Sequence, residues 1–235
     1  MFFDKMRKEL KRNADKEYKK SIKRFFKEGQ EINLIGVRTP VVRGISKKYF
    51  SQINSKSKKE ILNLCEELLK NGYSEEQGIA FGWAARLKDD FSPTDFNRFR
   101  SWLKKYVKNW GHCDGYCFGV LGPFIYAFPQ YIPEIKKWTG SKNRWFRRAS
   151  AVLVIYLLKD KKYLKTAFNI ADRLLLDEDD LVQKGYGWLL KEASNRYQKE
   201  VFDYVIKHKA EMPRTALRYA IEKMPKELKK KAMAK

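Results

Sequence analysis

The sequence predicts an all-α chain, a right-handed superhelical solenoid of antiparallel helix pairs with roughly five to six repeats. Three observations predict it. Apolar residues recur at the 3.6-residue spacing of a helix. Sustained period-two alternation, the mark of a half-buried strand, is hard to find. Helical segments themselves recur on a period of about 35 residues, the length that a helix pair with two turns requires.

The elements follow in order. Residues 1–38 fit the repeat poorly and read as N-terminal capping helices, 39–210 as the repeat array, and 211–235 as a C-terminal cap with a basic tail, all in one domain. Thr39-Pro40 opens a helix. In KKEILNLCEELLKNG, Ile61, Leu62, Cys65, Leu68 and Leu69 form one stripe and Gly72 supplies the stop. SPTDFNRFRSWLKKYVKN starts with Ser92 as cap and Pro93 in the first turn; its stripe is Phe96, Phe99, Trp102, Leu103, Tyr106 and Val107. Gly115–Pro133 carries no charge, but Pro123, Pro129, Pro133, Gly119 and Gly122 interrupt it. It is expected to form two short buried helices around a turn, not a membrane span. Met212-Pro213 opens a further helix, and KELKKKAMAK reads as a frayed, solvated helix end, with phosphate binding the other role open to it.

Aligning the repeats brings five windows together: Arg43-Gly44-Ile45-Ser46, Gln77-Gly78-Ile79-Ala80, Asp114-Gly115-Tyr116-Cys117, Arg148-Ala149-Ser150-Ala151 and Lys184-Gly185-Tyr186-Gly187. Their polar members are separated by 34, 37, 34 and 36 residues. Small residues are expected to let the second helix of each repeat approach its neighbours, with the polar member facing outward on the inner wall.

Composition narrows the partners. Apolar residues make up 43% and aromatics 14%, which suits a packed core and excludes disorder. Lys and Arg number 51 against 28 Asp and Glu, a formal charge of +23. Self-repulsion on that scale makes a polyanion the natural partner, and the even spread of basic residues favours nucleic acid over a membrane surface. Cys65, Cys113 and Cys117 are an odd, sparse set, suited to a reducing cytoplasm. MFFDKMRKEL is broken by Asp4, Lys5 and Arg7, so no secretory signal is read there.

Four of the five polar repeat members can donate to phosphate; the fifth, Asp114, stands mid-array. A carboxylate at the centre of an anion-binding groove makes sense if it acts on something cationic. Trp110 lies four residues before Asp114 and Trp188 four after Lys184, a spacing that shares a helix face if Trp110 is helical beside Gly111. Ordinary core packing is the other fate open to both tryptophans. His112, Cys113 and Cys117 fall short of the four ligands of a structural zinc, the only other histidine being His208, so no metal is expected. Glu60, Glu66 and Glu67 are expected on an exposed helix face. No phosphate loop, nucleophile elbow or dinucleotide fingerprint is present.

These residues carry a resemblance. Gly36-Val37-Arg38-Thr39-Pro40, the W-x-x-x-D of Trp110 and Asp114, Pro133-Glu134 with Trp138, Trp145-Phe146-Arg147-Arg148-Ala149 and Gln183-Lys184-Gly185-Tyr186-Gly187-Trp188 together resemble the AlkD-like DNA alkylation repair glycosylases, built from HEAT-like repeats. The resemblance implies excision of N3- and N7-alkylated purines from double-stranded DNA, without metal or organic cofactor. A monomer is expected because the array needs no partner to close its core, and a cytoplasmic place, at the nucleoid through DNA binding, follows from the cysteine set and the charge. The resemblance also implies Asp114 as the catalytic carboxylate, with Trp110 and Trp188 against the lesion-bearing deoxyribose. Arg148 matches an arginine near the lesion; Arg147, Lys184 and Lys191 join it as DNA contacts, as do Arg38, Thr39 and Arg43 near the N-terminus. Gly111 and His112 stand where relatives often carry an aromatic and an acidic residue. Phe25 or Phe26 would replace an N-terminal tyrosine of some relatives, without its hydroxyl. Two other readings share the basic surface: a catalytically silent DNA-binding protein for distorted or branched DNA, and a protein-interaction scaffold.

Overall fold

Capping chemistry and apolar stripes place the helices. The computed structural model describes residues 2–26 and 30–234, and the chain is all-α: among the described residues the extended pairing is one isolated bridge, Asn33 with Tyr73. Packing divides the chain into two units, Met1–Val120 and Leu121–Lys235.

The first unit holds α1 (Phe2–Arg12), α2 (Lys16–Lys23), α3 (Thr39–Phe50), α4 (Lys58–Asn71), α5 (Ser74–Ala85), α6 (Phe96–Tyr106) and α7 (Trp110–Tyr116). In α4 the expected stripe is buried. Ser57 and Glu60 close a capping box at its start, and Gly72 ends it at φ 77°, in the left-handed region. A short 3₁₀ turn, Pro93–Asp95, precedes α6, with Ser92 and Asp95 exchanging cap bonds. α5 lies against α3, α4 and α7, and α1 covers α3. The N-terminal helix is tied in by Met6 and Leu10, both fully buried, and by Arg7 donating to the buried Glu76 carboxylate at 3.0–3.3 Å. All three cysteines lie in this unit, buried and unoxidised, and burial pushes the Cys65 thiol up from its ordinary range.

The second unit holds α8 (Gly122–Ala127), α9 (Ile132–Trp138), α10 (Arg144–Leu157), α11 (Leu164–Arg173), α12 (Asp180–Ser194), α13 (Gln198–His208), α14 (Arg214–Ala220) and α15 (Lys226–Met233). α12 packs on α10, α11, α13 and α14. The chargeless stretch is more helical than expected. Gly119 lies within a π-helical turn, Cys117–Leu121, and Gly122 opens α8; the break comes at Phe128, before Pro129. Among the described residues no helix is long and apolar enough to cross a membrane. The basic tail forms α15 through Met233 and is docked, with Ala232 buried and the Lys209 ammonium donating to the carbonyls of Lys231 and Ala234.

The five repeat windows fall on α3, α5, α7, α10 and α12, and these helices pack in succession within each unit: α3 on α5 on α7, then α10 on α12 on α14. The role of their small residues divides. The fourth member makes the close approach: Ala80, Cys117 and Ala151 are fully buried, and a Cβ on Gly187 would lie 2.7 Å from the Tyr219 Cβ and 2.8 Å from the Ala216 carbonyl of α14. The second member does so only in the second unit. A Cβ on Gly44, Gly78 or Gly115 would meet nothing within 4 Å, so these glycines leave bare backbone on α3, α5 and α7.

Candidate functional site

α7 begins at Trp110, despite Gly111, because Asn109 caps it: the Asn109 Oδ1 accepts from the His112 N–H at 2.9 Å. With 3.6 residues per turn, Trp110 and Asp114 share one face of α7, and both are half-buried. The Phe26 ring stacks on the Trp110 indole at 5.5 Å between centroids and 16° between planes. Of the two candidate N-terminal aromatics, Phe26 therefore meets the tryptophan, while Phe25 is 67% exposed.

His112, two residues past Trp110, points to the other side of the helix. Its Nε2 lies 2.7 Å from the Ser74 Oγ at the start of α5, and its Nδ1 lies 3.1 Å from the Asn109 Nδ2. The Asn109 amide is oriented by two other bonds, since its Oδ1 accepts from the His112 N–H and its Nδ2 donates to the Glu31 carbonyl at 3.0 Å. The Asn109 Nδ2 also lies 3.4 Å from Nε2, so the amide sits over the ring instead of along one lone pair, and Ser74 holds the Nε2 edge. Burial pushes the His112 pKa down to about 4, so the ring is neutral at neutral pH.

The N-terminal candidates lie around the start of α3. The buried Glu75 carboxylate accepts from the backbone N–H groups of Ile35, Gly36 and Val37 at 3.0, 2.7 and 3.0 Å, fixing the approach to that helix. Gly36 has φ 105°, and a Cβ there would sit 2.8 Å from the Lys19 Cβ, so glycine is required on both counts. Thr39 and Arg43 are exposed, one turn apart on α3. Arg38 is tied to Asp15 at 2.8 Å and lies over the Tyr18 ring at 5.1 Å, joining α2 to α3.

In the second unit Lys184 and Trp188 share a face of α12. Each has a partner one turn away: the Lys184 ammonium pairs with Asp180 at 2.9 Å, and the Trp188 Nε1 donates to Glu192 at 2.9 Å. Arg147 donates to Asp177 at 2.7 Å and to the Ser141 carbonyl at 2.9 Å; Lys191 pairs with Glu222 at 3.2 Å. Sequence reasoning passed over the acids at 177–180. The signal was a DEDD run in a basic chain, placed where a helix start favours negative charge.

The expectation that the polar repeat members face outward holds for Arg43 and partly for Asp114 and Lys184. It fails for two. Gln77 is buried because its Nε2 donates to the Tyr106 carbonyl at the end of α6, at 3.3 Å, satisfying a group that the helix itself leaves unpaired. Arg148 is 6% exposed, with Nη1 donating to the Leu181 carbonyl; Gly185, lacking a side chain, makes room for it, a Cβ there lying 3.3 Å from the Arg148 Cγ. Glu66 departs in the same way from the exposed face expected of it, being half-buried and accepting from the Tyr106 hydroxyl at 3.3 Å. Among the described residues no three His, Cys, Asp or Glu side chains group as metal ligands would.

The chain is similar in fold to the solved structure of a predicted DNA alkylation repair enzyme from Enterococcus faecalis, with a TM-score of 0.78 and 18% identity over 91% of this chain and 98% of that one. No curated protein matches the chain. A family model for the DNA alkylation repair enzymes matches residues 6–224, nearly its full length. The chain belongs to the DNA alkylation repair enzyme family.

Proposed function

We propose that this protein is a monofunctional DNA glycosylase that hydrolyses the N-glycosidic bond of cationic N3- and N7-alkylated purines in double-stranded DNA. The observation that carries the reading is the pairing of Trp110 and Asp114 on one half-buried face of α7, in a member of a DNA alkylation repair family with a formal charge of +23.

An alkylated purine of this kind already bears a positive charge. As its bond to C1′ breaks, the base takes the electron pair and leaves neutral, so no general acid is required. The sugar becomes an oxocarbenium ion. The Asp114 carboxylate would stabilise that cation and orient a water, whose oxygen bonds to C1′ and whose proton passes to the carboxylate and then to solvent. The Trp110 face would attract the same cation by about 0.5–2 kcal/mol. With Phe26 covering one side of the indole, a single face is left for the sugar. His112, neutral and turned away, adds no charge to compete with it. The bare backbone at Gly44, Gly78 and Gly115 would let a strand approach α3, α5 and α7 closely, with Thr39 and Arg43 at its phosphates. In the second unit Lys184, Trp188 and the arginines Arg147 and Arg148 are proposed to act on the same duplex.

The test is release of free base from DNA containing N7-methylguanine or N3-methyladenine. Wild type should release it. Asp114→Asn should lose about 2.7–4 kcal/mol of transition-state stabilisation, a hundredfold or more in rate, with duplex affinity retained. Equal turnover by Asp114→Asn removes the assigned role. Tight duplex binding without release by wild type would instead identify a silent DNA-binding protein, and salt-independent failure to bind would favour a protein scaffold.

A further inference from the structure

In the second unit, carboxylates neutralise the expected DNA cations at close range, Arg147 by Asp177, Lys184 by Asp180 and Lys191 by Glu222. Eight residues beyond Arg148, about 12 Å along α10, the arrangement changes. The Lys159 ammonium lies 3.5 Å from the centroid of the Tyr126 ring and 4.4 Å from that of Tyr156, with no carboxylate partner among the described residues. Tyr126, in the last turn of α8, is 37% exposed; it meets Tyr156 edge-on at 6.2 Å and Tyr163 at 6.1 Å. Lys162, nearby, pairs with Asp160 at 2.9 Å as well as lying over the Tyr163 ring at 5.1 Å, so Lys159 is the lysine here that the rings hold without a carboxylate.

Rings and carboxylates hold a lysine differently. A carboxylate cancels its charge, whereas a ring quadrupole fixes the ammonium in place and leaves that charge intact. The two rings therefore favour one position of the exposed Lys159 ammonium by about two- to fivefold each, with its N–H donors available to an anion. The exposed phenol beside it offers an apolar surface that any nucleobase can stack on. A duplex keeps the faces of its bases inside the stack and would use only the lysine. An acidic peptide would likewise leave the tyrosine without a partner. An unpaired strand uses both.

We propose that Tyr126, Tyr156 and Lys159 form a second nucleic-acid contact, which takes single-stranded DNA with a phosphate on the Lys159 ammonium and an unstacked base against Tyr126. The experiment is fluorescence anisotropy of the full chain with a short labelled oligothymidylate, across a salt series, beside the same measurement on a duplex. Tyr126→Ala should weaken oligothymidylate binding about tenfold and Tyr126→Phe by less than about twofold. Lys159→Gln should lower the salt slope by about 0.7. Duplex affinity and base release should not change in any of the three. Unchanged oligothymidylate binding by Tyr126→Ala and Lys159→Gln would overturn the proposal. So would an equal loss in Tyr126→Phe and Tyr126→Ala, or a loss of the same size on the duplex.

Discussion

Lowering the pH from 7.5 to 4 should remove about 3 kcal/mol of stability through His112 alone. Burial holds its pKa at about 4, against an ordinary value of 6.5, so between these limits the unfolded chain binds a proton that the folded chain refuses. The contribution is complete above pH 6.5 and is lost as the pH falls toward 4. At 1.36 kcal/mol per unit, a gap of 2.5 units integrates to about 3 kcal/mol. His112→Gln can still hydrogen-bond to Ser74 but cannot take up a proton. Urea denaturation at pH 7.5 and 4 should show the variant losing about 3 kcal/mol less than wild type, since the remaining titrations are common to both. Proton NMR provides an independent check, with His208 as the chain's other histidine. A His112 ring resonance with its midpoint near 6.5, or an unchanged pH slope in His112→Gln, would refute the reasoning.

Glu75→Ala strands the backbone donors of Ile35, Gly36 and Val37, and should cost at least about 3 kcal/mol by denaturant titration. Gly187→Ala forces α12 off α14 and should cost about 1–3 kcal/mol, measured the same way. Gly78→Ala, at an open position inside α5, should instead raise stability by about 0.5–1 kcal/mol. Phe26→Ala removes the stack on Trp110, worth about 0.5–1.5 kcal/mol, and should make one further indole accessible to acrylamide quenching.

The legible parts of the fold are those encoded locally. The five apolar residues of α4 and Gly72 lie within twelve residues of one another, and each does in the structure what its type and spacing imply. The repeat windows were legible because one packing problem recurs on α3, α5, α7, α10 and α12. Pairs distant in sequence were not. Gln77 is drawn inward by a carbonyl 29 residues away, and Arg148 by one 33 residues away. The Lys184–Asp180 pair, by contrast, is local, four residues apart on one helix face, and was passed over with the rest of the acidic run. At the candidate site the Trp110–Asp114 spacing was visible. The ring stacked on that tryptophan and the Asn109 cap that makes the segment helical follow only from the fold.

The positions of the thiols have a practical consequence. Cys65, Cys113 and Cys117 are all buried and all precede residue 121, so an alkylating reagent in solution should find nothing to react with until the first unit opens. The second unit contains Trp138, Trp145 and Trp188 and no thiol at all. Labelling kinetics therefore act as a clock for one half of the chain to which the other half is silent. Set beside the loss of helical signal, that clock would show whether the halves melt as one cooperative body or in sequence.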